Sequence, residues 1–428
     1  MKRNRRIHVV TMGCAKNIVD SEKLMAQLRR SDFDVTAQPE EAEIAVINTC
    51  GFIEAAKVES VNTIMEHVRR KGKGKLKKIY AIGCLTERYR EDLKREIPEL
   101  DGVFGSNGDP GFLRALGTGL RYELLGERVL TTPSHFAYLK ISEGCDHPCS
   151  FCAIPLMRGK HVSRPSGDIL QEARMLADQG VKELIIIGQD TTSYGKDLQG
   201  KPALSELLEK LADIPGIEWV RLMYAYPSQF PTDILPLLAS HPRICRYLDL
   251  PLQHAADEIL RSMRRGTSRR NLLELLQTIR SAVPNVALRT TVIVGYPGET
   301  EKEFEKLVEF VRDMRFARLG AFTYSREEGT AAWPLGDPVP RDEKERRRSI
   351  IMELQKEISD ERNSSLVGSR VRVLIDRVEG ELAIGRTEHD APEIDNEVYV
   401  DGGGRLTPGI FCEAEIHDAT EYDLYGRI

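Results

Sequence analysis

No stretch of this chain reaches the roughly 18 apolar residues that a membrane-spanning helix needs, so no span is expected. No repeat of solenoid period is present, which excludes a stacked-repeat architecture. Nor is there a large excess of one charge. The 61 Lys and Arg stand against 66 Asp and Glu, an ordinary balance over the whole chain. No export signal is expected either. Lys2, Arg3, Arg5 and Arg6 lead into a short apolar stretch that ends at Gly13-Cys14, which imitates a lipoprotein signal. That stretch is too short and contains His8 and Thr11, so it reads as a first β-strand. Without an export signal, the eight cysteines point to a reducing cytoplasm and to metal ligation rather than disulfides.

What is present begins with length. At 428 residues the chain is expected to fold as two to four domains, and 41% apolar with 30% charged residues fits a globular protein with a substantial core. Three cysteines fall in the run Cys145-Asp146-His147-Pro148-Cys149-Ser150-Phe151-Cys152, with the spacing C-x3-C-x2-C. Three thiolates so close can ligate three irons of one [4Fe–4S] cluster and leave the fourth iron open, whereas ferredoxin clusters are closed by four cysteines. An open iron can bind a substrate, which suggests chemistry rather than electron storage. A structural zinc site is the competing reading, with His147 available as a fourth ligand. The spacing, with the aromatic Phe151 just before the last cysteine, resembles the radical S-adenosylmethionine (SAM) enzymes. That resemblance implies that the open iron chelates the methionine part of SAM. An electron from the cluster then splits the sulfonium and releases a 5′-deoxyadenosyl radical.

The remaining pattern divides into three parts, expected over 5–125, 131–360 and 363–428. In the first, Ile7–Thr11, Ile44–Asn48 and Ile79–Ile82 read as buried parallel strands, with helices over Ser21–Arg30 and Glu54–Arg70 between them. This predicts an α/β, open doubly wound sheet. Each of the three strands runs into a cysteine: Cys14, Cys50 and Cys84. Ligands in such sheets bind beyond the carboxyl ends of the strands, so the three thiols can converge. One such cysteine would read as a packing thiol; three in equivalent places favour a second three-cysteine cluster. The adjacent Gly13, Gly51 and Gly83 would let the backbone approach a bulky ligand.

In the second part, Tyr138–Ser142, Glu183–Gly188, Val220–Tyr224, Tyr247–Leu250, Leu288–Val294 and Leu319–Tyr324 alternate with helical stretches. Six βα units predict a partial (βα)6 parallel barrel with function at the carboxyl ends of its strands. Gln189-Asp190, Tyr226-Pro227, Gln253-His254 and Gly295-Tyr296-Pro297-Gly298 fall at those ends and would line one cavity with the Cys145–Cys152 loop. Gln189 and Gly295 are the candidate cofactor contacts among them. In the third part, Arg370–Ile375, Leu382–Arg386, Val398–Val400 and Phe411–Ile416 predict a small antiparallel β-barrel. Cys245 and Cys412 read as core thiols.

A three-cysteine α/β domain, a radical SAM barrel and a small β-barrel, in that order, resemble the methylthiotransferase family, whose terminal module is called TRAM. Gly13-Cys14-Ala15-Lys16-Asn17-Ile18-Val19-Asp20-Ser21-Glu22, the stretch from Ser142 to Gly159, and Arg386 through Asp395 are similar to one branch in particular. That branch acts on an aspartate of the small-subunit ribosomal protein S-twelve. Ala15 stands where the branch often has Pro and Asn396 where Gly is usual; neither is a ligand. The resemblance implies that Cys145, Cys149 and Cys152 are catalytic and hold the SAM cluster, with Phe151 near the adenine. It implies that Cys14, Cys50 and Cys84 hold an auxiliary [4Fe–4S] cluster. A sulfide there is methylated by a first SAM, and a second SAM gives the radical that takes hydrogen from the β-carbon of the aspartate. The implied partners are S-twelve, free or in the small subunit, and a reductant such as flavodoxin or ferredoxin; the enzyme is expected to be a cytoplasmic monomer. A transfer RNA methylthiotransferase acting beside the anticodon is the alternative. A non-catalytic iron–sulfur factor is a third reading.

Charge bears on the choice. Leu366–Ile428 carries fourteen Asp and Glu against six Lys and Arg, a net of −8. Such a domain would repel phosphates and attract a basic protein. Glu388, Asp390, Glu393, Asp395 and Glu397 concentrate in one segment, which reads as the docking surface. Against this, Arg69-Arg70-Lys71, Lys73, Lys75, Lys77 and Lys78 form a basic run, read as a loop that touches ribosomal RNA or is only solvated.

Overall fold

Strands that are apolar on both faces need helices on both sides, and the first sheet is built that way. A computed structural model describes residues 5–31, 33–106, 109–121 and 126–428. Its first five strands are β1 (Arg5–Thr11), β2 (Phe33–Val35), β3 (Ile44–Thr49), β4 (Lys78–Gly83) and β5 (Gly102–Val103). They run parallel in the order β2-β1-β3-β4-β5. Ile44 and Val46 of β3 pack with Leu24 and Leu28 of helix α1 (Ala15–Arg29), while Ala45 and Ile47 pack on the other face with Ile64 of helix α2 (Glu54–Arg70). The strand order reverses between β1 and β3, which puts the ligand crevice of a doubly wound sheet at their carboxyl ends, beside Cys14 and Cys50.

The second sheet holds β6 (Phe136–Lys140), β9 (Glu183–Ile187), β10 (Trp219–Leu222), β11 (Ile244–Asp249), β12 (Ala287–Val294) and β13 (Arg318–Thr323). Between β6 and β9, a two-stranded ribbon of β7 (Ser142–Glu143) and β8 (Val162–Ser163) frames the Cys145–Cys152 loop. The six strands are parallel and sequential, and β6 and β13 remain edges, so the barrel is open. Leu184, Ile186, Val220 and Leu222 face the surrounding helices. Tyr138, Ile185, Ile187 and Tyr247 face inward and meet Val19 of α1 together with Leu374, Ala391 and Phe411 of the third unit. Cys245 lies buried in this inner layer, as a core thiol should; Cys412 is only half-buried at the edge of the terminal core. No helix among the described residues is long and apolar enough to cross a membrane.

The third unit is a closed barrel of β14 (Arg370–Glu379), β15 (Leu382–Arg386), β16 (Val398–Asp401), β17 (Phe411–Ala419) and β18 (Leu424–Arg427). It departs from the antiparallel expectation at one pairing, because β16 and β18 run parallel. The reason is arithmetic: five strands cannot alternate direction all the way around a closed ring.

The acidic segment is not a free docking surface. Asp390 is buried and accepts from Arg318, and Asp395 has a buried side chain that accepts from the Tyr247 hydroxyl at 2.7 Å. Glu388 accepts from the Arg246 amide at 3.1 Å, and Glu397 takes both Nη atoms of Arg377. Only Glu393 is exposed. Arginines of the second sheet and of the barrel itself draw these carboxylates inward, which a charge count cannot reveal. The basic run is also partly satisfied at home, with Lys71 on Asp101 at 2.7 Å and Lys77 on Glu43 at 3.1 Å. It precedes β4 and so lies at the opposite end of the sheet from Cys84.

Buried carboxylates make the fold acid-sensitive. Burial alone would raise the Glu172 carboxyl, but Lys23, Arg164 and Arg128 outweigh it and hold it at about 2, against an ordinary 4.5. Asp20 is held at about 2 in the same way by Lys140 and Arg158. A carboxyl depressed by folding contributes stability that is complete above its unfolded value and lost as pH falls toward its folded value. The melting temperature is therefore expected to be level above about pH 5 and to fall steadily between pH 4.5 and 2. A flat melting profile through that window would contradict these pairings.

Candidate functional site

Cys14 caps α1, Cys50 follows β3, and Cys84 opens the short helix α3 (Cys84–Arg88) after β4. Gly83 between β4 and Cys84 has φ +102°, and a Cβ there would stand 2.6 Å from the Thr49 carbonyl. A Cβ on Gly13 would stand 2.9 Å from Cys50 Sγ. These glycines therefore let neighbouring strand ends, each of which leads into a cysteine, press together. Cys14 is exposed, whereas Cys50 and Cys84 are buried. Burial raises both buried thiols, Cys84 to about 11 despite the opposing Arg158 guanidinium.

Arg158 joins this trio to the second unit. It ends the helix Ile154–Arg158 that follows Cys152. Its Nε donates to Cys84 Sγ at 3.2 Å, one Nη to Asn17 Oδ1 at 2.5 Å, and the other to Asp20 at 2.7 Å. Ala153 and Met157 of the same segment pack on Cys84. Asp20 and Glu143 also receive Lys140, and Gln189 Nε2 donates to Glu143 Oε1 at 2.5 Å. A continuous buried polar network thus links the first three thiols to the carboxyl ends of the second sheet.

The second trio sits in the loop between β7 and β8. Burial raises Cys145 and Cys152 to about 12. Left to themselves such thiols stay protonated; a coordinating metal deprotonates them. Cys149 lies in a polar cradle, with Arg265 Nη1 at 3.2 Å and the Tyr226 hydroxyl at 3.5 Å from its Sγ. Arg265 stacks over the Tyr226 ring at 4.2 Å and receives its hydroxyl proton on the backbone carbonyl at 3.0 Å. His147 turns toward the second sheet rather than toward its own loop. Its Nε2 meets Asp190 Oδ2 at 2.7 Å and its ring stacks on Tyr226 at 3.5 Å. Among the described residues no three His, Cys, Asp or Glu side chains surround a point suited to one metal ion.

The other expected contacts are brought to the same end of the sheet with differing roles. Gln189 keeps a buried Oε1 with no partner among the described residues, as does Gln253. His254 Nδ1 accepts from the Ala256 amide at 3.0 Å, leaving Nε2 3.5 Å from Glu299. Phe151 packs against the cluster of Tyr296, Tyr324 and Ala332. Gly295 has φ +73°, donates its amide to Glu299 at 2.9 Å, and leaves room for the stem of Lys344. Its lack of a side chain is thus explained by Lys344 rather than by a ligand. Sequence reasoning did not single out Lys16, Arg158 or Arg265. The first two lie inside motif stretches, but nothing in a sequence says that they cross a domain seam.

Comparison with known proteins accords with this geometry. Residues 139–311 match the Radical SAM superfamily, 6–105 match an uncharacterized protein family, UPF0004, and 367–428 match the TRAM domain. The chain is 54% identical to the ribosomal protein uS12 methylthiotransferase RimO of Flavobacterium johnsoniae, covering 100% of this chain and 98% of that protein. It is 52% identical to that of Chloroherpeton thalassium (99% and 98%) and 49% identical to that of Bacteroides thetaiotaomicron (100% and 99%). Among solved structures, the radical S-adenosylmethionine methyltransferase TsrM from Kitasatospora setae aligns with a TM-score of 0.56 at 15% identity, over 77% of each chain, a likeness of fold. Superfamily membership brings with it SAM and one [4Fe–4S] cluster. On full-length identity of this order, the chain belongs to the RimO family of radical SAM methylthiotransferases.

Proposed function

We propose that this enzyme adds a methylthio group to the β-carbon of an aspartate of ribosomal protein uS12. In this reading Cys145, Cys149 and Cys152 hold the cluster that binds SAM, and Cys14, Cys50 and Cys84 hold a second [4Fe–4S] cluster. The observation that carries it is the pairing of two cysteine trios across one buried seam, with Arg158 touching the first trio and following the second in sequence. The donor chemistry suits such groups: three thiols in each set, and an unpartnered buried oxygen on Gln189, whose amide nitrogen reaches Glu143 at the head of the loop. When bound, the clusters and SAM supply a carbon-centred radical and a transferable sulfur, which side chains cannot provide. The chain's own residues do the rest. Tyr226 and Arg265 orient Cys149, while His147 and Asp190 brace the loop. Gln189 would offer a hydrogen-bond acceptor to SAM and Phe151 an apolar face, whereas Gly295, which makes room for the Lys344 stem, is left out of that role. α1 and the terminal barrel cover the inner face of the sheet and keep water from it. A small one-electron carrier, flavodoxin or ferredoxin, would reduce the cluster, and the enzyme would act as a cytoplasmic monomer on free uS12 or on the small subunit.

Mass spectrometry of uS12 and of bulk transfer RNA from a deletion strain tests this reading. We expect uS12 to be lighter by one SCH2 unit and transfer RNA to be unchanged. Loss of a methylthio nucleoside with intact uS12 would overturn the assignment in favour of transfer RNA.

A further inference from the structure

Pro148, next to Cys149 in the chain, is exposed and borders an open hollow of about 660 Å3. The other sides of the hollow include Asp257, Arg261, Arg264, Ser268 and Asn271. The segment that forms it is tied directly to the cysteine loop. Met263 accepts the Ser150 amide on its carbonyl at 3.0 Å, and Ser262 accepts the Ser150 hydroxyl at 2.8 Å. Arg265 Nη1 reaches Cys149 Sγ at 3.2 Å. Charge sets this place apart. Asp257–Asn271 carries five arginines against Asp257 and Glu258. Both carboxylates are engaged: Asp257 accepts the Arg269 amide at 2.6 Å, and Glu258 takes Lys306 at 3.2 Å. Arg265 is buried on the loop, and Arg270 pairs with Glu274 at 2.7 Å. Arg261 and Arg264 are exposed, and among the described residues neither has a carboxylate within 4.0 Å. Arg269 and Arg270 also open the helix Arg269–Ala282, whose first turn has no acidic residue, so their charges add to the positive end of the helix instead of offsetting it. Such an arrangement is unfavourable in the free protein and favours an anionic partner.

We infer that the face around Arg261 and Arg264 is the docking surface for an acidic one-electron carrier protein. The inference rests on the reading of Cys145, Cys149 and Cys152 given above, and names the surface on which their cluster is reduced. Position argues for a carrier rather than for the substrate. A protein seated in the hollow faces the cysteine loop across a single residue, Pro148. The carrier is oxidised by one electron, passed to the cluster that the loop would hold, with no bond made or broken. Ribosomal proteins, basic because they neutralise RNA, would be repelled by the same arginines, which leaves the face free while substrate is bound.

The test titrates the anaerobically reconstituted enzyme with two probes, an acidic flavodoxin and an acidic [2Fe–2S] ferredoxin, by isothermal calorimetry. Cluster reduction by the carrier that binds is followed by stopped flow. The wild type is expected to bind at least one of them, and more weakly as salt rises past about 0.1 M, where charges reach only about 10 Å. Arg261→Glu with Arg264→Glu should weaken that binding about tenfold or more and slow reduction by the carrier in step, while reduction by dithionite stays as in the wild type. Iron content and circular dichroism report whether the variant is folded; Arg261→Gln with Arg264→Gln removes the charge without reversing it and should give a smaller loss in the same direction. Unchanged affinity in the charge-reversed protein overturns the inference. So does an equal loss from Lys73→Glu with Lys75→Glu, which alters charge by the same amount on the basic run elsewhere. Intact carrier binding with lost binding to the small ribosomal subunit also overturns it, and gives the arginines to RNA phosphates. A wild type that binds neither carrier yet modifies uS12 with dithionite overturns this inference alone; one whose iron content is unchanged when Cys145, Cys149 and Cys152 are replaced by alanine overturns the reading beneath it.

Discussion

Cys149→Ala is expected to reduce 5′-deoxyadenosine formation and methylthiolation to background together, whereas Cys50→Ala should lose methylthiolation and retain SAM cleavage. The asymmetry follows from position. Cys149 is the central thiol of the loop at the carboxyl ends of the barrel strands, held by Arg265 and Tyr226. A three-cysteine site without it has two ligands left, too few for a four-iron cluster with one open position. Cys50 belongs to the first unit, buried at the end of β3, and contributes nothing to that loop. Removing it should disable sulfur supply and spare the radical step. Anaerobically reconstituted protein should hold about eight irons per chain, and a triple alanine variant of either trio about four. Normal methylthio transfer by Cys50→Ala would show that the N-terminal trio carries no sulfur.

Arg386→Ala is expected to be the most destabilising single change at the seam between the open barrel and the terminal barrel. Arg386 ends β15 with its side chain 3% exposed. Its Nη2 donates to Glu183 Oε2 at 2.8 Å and its Nε to Asp376 Oδ2 at 2.7 Å. Glu183 is fully buried and also takes Arg221 Nε at 2.7 Å; Asp376 also meets His135 Nε2 at 2.7 Å. Removing one member of a buried charge network leaves its partners uncompensated and costs about 3–5 kcal/mol, far more than an exposed pair would. The loss is read as a lower urea midpoint at unchanged slope. A change within about 0.5 kcal/mol would mean that water reaches Glu183 in the folded protein. The same logic turns a charge-reversed Glu393, Asp395 and Glu397 triple variant into a stability defect at the seam rather than a weakened substrate contact.

Much of the architecture was legible because apolar runs report burial directly. β3 and β4 are buried nearly throughout, and each was read to within a residue at either end. β2, β5 and β18 were not foreseen. They are two to four residues long, and such strands are made by register with neighbours rather than by their own pattern. The cysteine trios were readable from spacing and from strand ends. Their setting was not, because Arg158, Lys16 and Arg265 each meet residues more than a hundred positions away. The acidic segment was misjudged for the same reason: a sum of charges carries no direction, and Arg318, Arg289 and Arg246 lie far upstream of the carboxylates they turn inward.

The Arg158 seam has a bearing on engineering. Asn17 and Asp20 come from one unit and Glu143 and Arg158 from the next, so the two halves of the contact are encoded on opposite sides of any domain junction. A chimera that grafts a foreign N-terminal domain onto this barrel would inherit half a lock. Swaps within the family should succeed only when all four positions travel together, and recombination breakpoints between Asp20 and Glu143 should be tolerated mainly among parents that already share them.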